Sequence, residues 1–316
     1  LEELKRLDPK ACAGVKLFLG SSTGNMLVDN EKTIEAIFSN VDLVIAAHCE
    51  DEATIRKNLA HYQALYGNDI PIDLHPHIRS AEACYLSSSR AIALAKKTGA
   101  RLHVFHLSTA AETELFGNNI PLKDKKITAE VCVHHLWFTA DDYDTRGAFI
   151  KWNPAVKTAE DRAALWQALL DDRLDVIATD HAPHTLEEKQ QKGYTNIPSG
   201  APLVQHSLVA MLEKAHKGVI SLKKIVEKMC HNPAILFDIE DRGYLREGYY
   251  ADLVLVDMNA LWTVQKQNLL YKCGWSPLEG QQFHAKIVST FVNGQLAYNN
   301  GQVCPTPYGQ RVTFNR

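Results

Sequence analysis

Short runs of apolar residues alternate with amphipathic stretches along the first 180 residues of the chain. The apolar runs, many of them β-branched, predict buried strands. Between them, the segment Ala81–Thr98 predicts a long helix that ends at Gly99, and residues 158–171 predict an amphipathic helix. The pattern repeats about every 25–50 residues, which is typical of βα units around a parallel sheet. The predicted strands end at Leu19, Ala47, Leu107, Val133, Trp152 and Thr179.

Six strands are too few to close a parallel βα barrel, which has eight. The two further strands would precede the first predicted strand. Without them the sheet would keep a long unpaired edge, which natural proteins avoid. We therefore expect the chain to be the C-terminal portion of a longer polypeptide.

The composition changes at Asp241, after which glycines separate several short β-rich runs. These runs, at residues 251–256, 286–292 and 295–298, predict a small β module that follows the barrel. We therefore expect two regions, a barrel at residues 1–240 and part of a β module at residues 241–316.

The overall composition narrows the class of protein. Hydrophobic residues make up 46% of the chain and charged residues 22%, as in ordinary globular proteins. The net charge of −3 gives no electrostatic case for binding nucleic acid or a membrane surface. Neither a membrane span nor a signal peptide is expected. Seven scattered cysteines fit reduced thiols, so we expect a cytoplasmic protein.

The segment ATDHAPHT, residues 178–185, directly follows a predicted strand. Its Asp180 and His184 would lie at the C-terminal end of that strand, where catalytic groups of parallel barrels collect. Taken alone, the segment fits a helix cap equally well. Three other ionisable residues also stand at or near strand ends: Lys16, His48 and His106.

Two imidazoles and a carboxylate form a reasonable ligand set for zinc or a similar divalent ion. A protonated lysine is a poor ligand, but the carbamate formed with CO2 is an anionic oxygen ligand that can bridge two metals. Each residue also has a structural interpretation. A strand lysine commonly reaches to water, and a strand-end histidine is commonly hydrogen-bonded within the fold.

Six segments of the chain occur in the same order as in dihydroorotases of the amidohydrolase superfamily, which the chain resembles from about Gly14 to Lys189. The resemblance continues through HNPAILFDI and GYYADLVLVD, so it covers nearly the whole chain. The run NPAVKT…EDRAALW favours dihydroorotase over allantoinase and dihydropyrimidinase. The six segments are GVKLFLG, IAAHCED, LHVFHLST, VCVHHLWFT, IKWNPAVKTAEDRAALW and VIATDHAPHTLEEK.

The resemblance implies a TIM-type (β/α)8 metal-dependent hydrolase barrel, N-terminally incomplete here, with part of a flanking β-sandwich module. It implies two zinc ions per subunit, bridged by a carboxylated Lys16, although some members of the family have an aspartate in this role. His48 and His106 would be ligands of the second metal. Asp180 would bind the first metal and act as general base and general acid.

The same resemblance implies substrate contacts. His184 would contact the substrate carboxylate, and Asn153 would contact the ring amide. The backbone at Gly200, Ala201 and Pro202 would hold the pyrimidine ring. Residues 20–25 would form a mobile loop that closes over the substrate.

The reaction implied is the reversible hydrolysis of L-dihydroorotate to N-carbamoyl-L-aspartate in pyrimidine biosynthesis. One alternative is another cyclic amidase, an allantoinase or a dihydropyrimidinase. A second is a catalytically silent homologue that serves as a structural partner of aspartate carbamoyltransferase. Loss of ligands marks such homologues, whereas the four ligand positions visible here are filled. Association with aspartate carbamoyltransferase and homodimer formation are both compatible with the resemblance.

The family's first strand carries a His-x-His metal pair and, shortly after it, an arginine for the substrate carboxylate. Only fifteen residues precede Lys16, and they contain neither feature. A gene product that began at Leu1 would be expected to form no binuclear centre and to have little activity.

The remaining histidines carry weaker predictions. His75 and His77 have His-x-His spacing but lie in a polar loop, so we expect them to be structural or at the surface. Strand alternation predicts that His103 packs away from the ligand face. The other predictions are a supporting role for one of His134 and His135, a His181 that points away from the metal, and a Cys49 that is a small buried residue rather than a nucleophile.

Overall fold

A parallel sheet of five strands forms the centre of the fold, in a computed structural model that describes residues 1–20, 26–305 and 309–316. The strands are adjacent in chain order from β1 to β5, as expected for successive βα units. They are β1 Val15–Phe18, β2 Ile45–His48, β3 Leu102–Val104, β4 Ile127–Cys132 and β5 Val176–Ala178.

The two faces of this sheet differ in polarity. Leu17, Ile45 and Val104 point to one face and join an apolar cluster with residues of the surrounding helices. The register pairs Lys16 with Ala46, and Ala46 with His103, so these residues share the opposite face. The fold is thus that of a (β/α) barrel whose inner face carries the ionisable residues.

The position of His103 corrects one prediction. This side chain is buried, as expected, but it lies on the same face of the sheet as Lys16. Its ring nitrogens contact Thr128 Oγ1 at 2.9 Å and Glu130 Oε2 at 3.1 Å. Strict alternation between His103 and His106 fails because His106 adopts a positive φ of 38° after the strand has ended.

The predicted strand that ends at Trp152 is also absent from the described structure. Residues Gly147–Ile150 form a 3-10 helix, and the chain up to Trp152 pairs with no strand. Ile150 and Trp152 are buried, so the apolar run reflects core packing. A short apolar run does not by itself distinguish a strand from another buried segment.

The main helices begin and end where local signals predict. Helix α5 (Ala81–Thr98) follows the N-cap Ser80 and ends at Gly99, whose φ of 76° suits a left-handed cap. Helix α9 (Ala159–Leu170) begins at a capping box formed by Thr158 and Asp161. The α-helices are α1 Glu2–Lys5, α2 Glu31–Asn40, α3 Glu52–Tyr66, α4 His75–Ile78, α5 Ala81–Thr98, α6 Ala110–Thr113, α7 Val133–Trp137, α8 Tyr143–Arg146, α9 Ala159–Leu170, α10 Leu186–Lys189, α11 Ser207–His216, α12 Leu222–Val226 and α13 Asn232–Leu236.

The C-terminal strands form an antiparallel sheet in the order β11-β10-β9-β6 and a separate pair of β7 with β8. One apolar cluster contains both Phe283 of this region and Leu212 of helix α11. The predicted boundary after residue 240 stays a prediction. The strands are β6 Leu253–Asp257, β7 Trp262–Thr263, β8 Gln282–Phe283, β9 Lys286–Val292, β10 Gln295–Asn299 and β11 Gln302–Val303.

In the ranges that the structure describes, no helix combines the length and the apolar character needed to cross a bilayer. Of the predicted mobile loop at 20–25, residues 21–25 lie outside the described residues.

Candidate active site

Strand direction brings the predicted site residues to one edge of the sheet. His48 is the last residue of β2, His106 follows β3 by two residues, and Asp180 follows β5 by two residues. Lys16 lies on the inner face of β1. Because the strands are parallel, their C-terminal ends meet at the same mouth.

His48 and His106 form the geometric centre of the site. His48 Nδ1 lies 3.0 Å from His106 Nε2, and both side chains are buried. Burial, reinforced by the neighbouring His48 and Lys16, lowers the pKa of His106 well below its usual value. His106 is therefore a neutral imidazole, the form that binds metals. Two imidazole nitrogens on one tetrahedral zinc would be about 3.3 Å apart, close to the observed separation.

The backbone turns sharply at two of these positions. His106 has φ 38° and Asp180 has φ 43°. Among the non-glycine residues with positive φ in the described ranges, His106 is the only one that is neither Asp nor Asn. Such conformations cost energy and are concentrated at functional sites, where they redirect a side chain.

Lys16 and Asp180 carry opposite charges at this mouth, and each shifts the pKa of the other. Burial raises the pKa of Asp180, while the nearby Lys16 and His48 act in the opposite direction. Burial likewise lowers the pKa of Lys16, against the attraction of Asp180 and Glu130. Although much of Lys16 is exposed, its ammonium lies 4.0 Å from the centre of the Phe105 ring. Asp180 is half-buried beside it.

These residues fit a metal only in part. The convergent nitrogens of His48 and His106 suit two positions of a divalent ion. In the described part of the chain, however, no group of three or more His, Cys, Asp and Glu side chains is arranged to hold a metal. Completing the ligand set would require Asp180, a carbamate on Lys16 or both.

A buried ion pair lies behind His48. Glu50 Oε2 is 2.9 Å from His48 Nε2 and also contacts the guanidinium of Arg79. Burial alone would raise the pKa of Glu50, but Arg79 and His48 lower it to about 2. A carboxylate behind a histidine fixes the orientation of its ring, here with Nδ1 towards His106. Sequence reasoning missed this pair: Glu50 stood in the IAAHCED segment, whereas nothing in the sequence marked Arg79.

The two side chains predicted to contact the substrate, Asn153 and His184, differ in whether their polar atoms are free to bind it. The Oδ1 atom of Asn153 is buried and has no hydrogen-bond partner in the described structure. His184 Nε2 lies 3.1 Å from Ser199 O, and its Nδ1 lies 3.5 Å from Glu188 Oε2. Asn153 therefore has an unused acceptor, while both ring nitrogens of His184 already have neighbours.

Residues 200–202, whose backbone was predicted to hold the substrate ring, pack against the loop that carries Asp180 and His184. The amide of Ala182 donates to Ala201 O at 3.2 Å. Gly200 has a φ of 125°, and a Cβ there would lie 2.5 Å from Ala182 O. Only glycine fits this close approach. Gly200, Ala201 and Pro202 are all buried beside this loop.

The other histidines and Cys49 take structural positions. His75 contacts Tyr194 Oη and Trp152 O, each at 2.6 Å, while His77 is exposed. His181 Nδ1 accepts the amide of Leu203 at 2.9 Å, and so it is engaged away from His48 and His106. The remaining members also pack within the fold: His134 stacks on Trp152, His135 contacts Pro154 O, and burial raises the pKa of the Cys49 thiol to about 12.

The sequence profile of the amidohydrolase family matches residues 31–297, most of the chain. The chain belongs to the amidohydrolase family. Metal dependence is general in this family, which agrees with the paired imidazoles at the mouth of the barrel.

Relatives within the amidohydrolase family include several dihydroorotases. That of Pyrococcus furiosus is 33% identical over 297 residues, which cover 94% of this chain and 64% of the relative. That of Halobacterium salinarum is 32% identical over 91% of this chain and 65% of the relative. This amidohydrolase chain thus spans slightly less than two-thirds of the length of these relatives.

A solved structure shares the fold closely. The L-hydantoinase (dihydropyrimidinase) from Arthrobacter aurescens superposes with a TM-score of 0.85 and 28% identity. The superposition covers 96% of this amidohydrolase chain and 68% of that one.

Loss of the Arg79 side chain should destabilise the fold strongly. Arg79→Met would leave the Glu50 carboxylate buried without its cationic partner, which costs about 3–5 kcal/mol of unfolding free energy. The matched variant Arg90→Met removes an exposed partner of Asp51 and should cost less than about 1 kcal/mol. Urea unfolding measures both. Equal losses would show that the buried pair does not hold the site together.

Proposed function

We propose that this amidohydrolase is a dihydroorotase that hydrolyses the ring amide of L-dihydroorotate reversibly. The main support is the pair of imidazole nitrogens, 3.0 Å apart, at a mouth that also holds Lys16 and Asp180. The identity of 33% to a named dihydroorotase points to the substrate. Hydrolysis breaks the ring C–N bond, places the water's hydroxyl on the carbonyl carbon and a proton on the nitrogen, and yields N-carbamoyl-L-aspartate.

We assign the metal-binding role to the residues at the strand ends. His48 and His106 would hold one zinc ion, and a carboxylated Lys16 and Asp180 would contribute to a site for two. Bound zinc would supply a hydroxide nucleophile near neutral pH and polarise the amide carbonyl. Glu50 would keep the His48 ring in its binding orientation.

Asp180 would carry the proton. Its carboxylate would accept the proton of the attacking water and deliver it to the departing ring nitrogen. Burial favours this exchange because it raises the pKa of Asp180 towards neutrality.

Substrate recognition would divide between side chains and backbone. The unpartnered Oδ1 of Asn153 would accept the ring N–H. His184 would meet the substrate carboxylate after releasing Ser199 O or Glu188, and residues 200–202 would border the ring. The cytoplasmic location and the role in pyrimidine biosynthesis follow from the same proposal.

A second candidate is a cyclic amidase for uncharged rings. Its support is the close superposition on the L-hydantoinase of Arthrobacter aurescens. The two candidates share the amide chemistry and differ in whether the substrate carries a carboxylate.

The choice between them can be tested by comparing substrates of the native protein that contains this chain. We expect kcat/KM for L-dihydroorotate to exceed that for dihydrouracil, hydantoin and allantoin by at least about 100-fold. A site that pairs a carboxylate rejects rings that lack one, since its polar groups would stay unpaired. Preference for hydantoin or dihydrouracil would support the second candidate instead.

Asp180→Asn should remove the proton carrier while it preserves the shape of the side chain. We expect kcat to fall by about 10²–10⁴-fold with an unchanged circular dichroism spectrum. The matched variant Asp141→Asn alters an exposed carboxylate and should retain full activity. Near-normal turnover in Asp180→Asn would refute the assigned role.

His106→Ala should lower the metal content of the purified protein. We expect the native protein to contain about two zinc ions per subunit and the variant to lose at least about one of them. The exposed His61 on helix α3 offers a control, since His61→Ala should retain the full content. Plasma mass spectrometry after dialysis measures both. Wild-type content in His106→Ala would exclude this residue as a ligand.

A further inference from the structure

Residues 194–202, which we call the wall segment, pass beside the loop that carries Asp180. Their backbone carbonyls accept an unusual set of hydrogen bonds. Apart from the 3-10 turn Tyr194–Asn196, this segment has no regular secondary structure. Six of its carbonyl oxygens nevertheless have hydrogen-bond partners outside the segment. Two buried lysines provide four of these bonds.

Lys151 anchors the beginning of the wall segment. Its ammonium donates to Tyr194 O at 2.7 Å and to Ile197 O at 2.6 Å. It also lies 4.1 Å from the centre of the Tyr194 ring. The backbone carbonyl of Lys151 accepts the amide of Gly200 at 2.8 Å, so the same residue holds two points of the segment.

Lys189 anchors the end of the wall segment. Its ammonium donates to Pro198 O at 2.9 Å and to Gly200 O at 3.0 Å, and only 2% of the residue is exposed. Among the described residues, no carboxylate lies within ion-pairing distance of Lys189 or Lys151. A buried charge is costly unless polar groups compensate it. Here backbone carbonyls serve that purpose.

Burial also lowers the pKa of both lysines. Desolvation, with a contribution from Arg79, lowers the pKa of Lys151 to about 7. Desolvation, with a contribution from Lys151, lowers the pKa of Lys189 to about 7. A lysine with no other role would gain by reaching solvent. These two instead stay buried against the wall segment.

The bonds to Lys189 orient two peptide groups. In a trans peptide the N–H points opposite to the C=O. Since Pro198 O and Gly200 O both face Lys189, the amides of Ser199 and Ala201 point away from it. Neither amide donates to any acceptor within the described structure, although Ala201 is completely buried. Both donors are therefore left for a carbonyl or carboxylate oxygen.

We propose that Lys151 and Lys189 are positioning residues that hold the wall segment so that its Ser199 and Ala201 amides meet the substrate. The inference rests on the proposed function, because the wall segment includes Gly200–Pro202 beside the Asp180 loop. Neither lysine touches the reacting atoms. Their effect passes through the peptide groups that they orient, and it falls on binding more than on the chemical step.

Steady-state kinetics of Lys189→Met and Lys151→Met provide the first test. Methionine has a similar length but donates no hydrogen bond, so each variant leaves two carbonyls unpaired. KM should rise roughly tenfold or more, with a much smaller change in kcat. The exposed Lys192 in the same stretch is the matched control, and Lys192→Met should change neither constant. An unchanged KM would overturn the proposal. A variant that lost only kcat and stability, with no rise in KM, would overturn it as well.

Hydrogen exchange without substrate provides a test that does not depend on the activity. The amides of Gly200 and Leu203 should be protected in wild type and exchange roughly tenfold faster or more in Lys189→Met. If the variants do not fold, hydrogen exchange in the wild-type protein still tests the anchoring. A Gly200 amide that exchanges as fast as one in an exposed loop would refute it. A wild type that hydrolyses no cyclic amide but loses protection in Lys189→Met would sink the proposed function and leave the anchoring intact.

Discussion

The parallel direction of five adjacent strands is the constraint on which the rest of the structure depends. It carries the ends of β2, β3 and β5 to one mouth, so residues 48, 106 and 180, far apart in the chain, become neighbours. The apolar side chains on the outer face bury the sheet under its helices. The inner face can then hold ionisable groups, because the core no longer depends on it. Chemistry and stability are thereby assigned to opposite faces of the same strands.

The buried charges around this mouth are compensated in two ways. Glu50 is compensated by Arg79, an ion pair that also orients His48. Lys151 and Lys189 are compensated by backbone carbonyls. Both arrangements leave a buried charge that would be expensive if its partner moved, so each restricts the conformations of its surroundings. The first stabilises the imidazole pair, and the second stabilises the wall segment beside the loop that carries Asp180.

Prediction from the sequence succeeded where the signal was local and failed where packing decided. Helix α5 was predicted with its observed bounds, because a polar N-cap and a C-terminal glycine mark its ends. The strand predicted to end at Trp152 was wrong, because its apolar residues are buried by the core without pairing in a sheet. His103 was assigned to the wrong face, because alternation was extended past the end of β3 to a residue with positive φ. The site residues themselves were placed at strand ends, and the structure brings them to one mouth.

The sequence by itself determined the order of βα units, the membership of the amidohydrolase family and the position of Lys16, His48, His106 and Asp180 near strand ends. Periodicity and contiguous motifs carry this information within a few residues. Only the tertiary structure decided which groups stand behind the site. Arg79 meets Glu50 across 29 residues of chain, and Lys151 reaches Tyr194 across 43. Such pairs depend on how distant segments pack and on the cost of burying their charges, and no local pattern of apolar and polar residues records either.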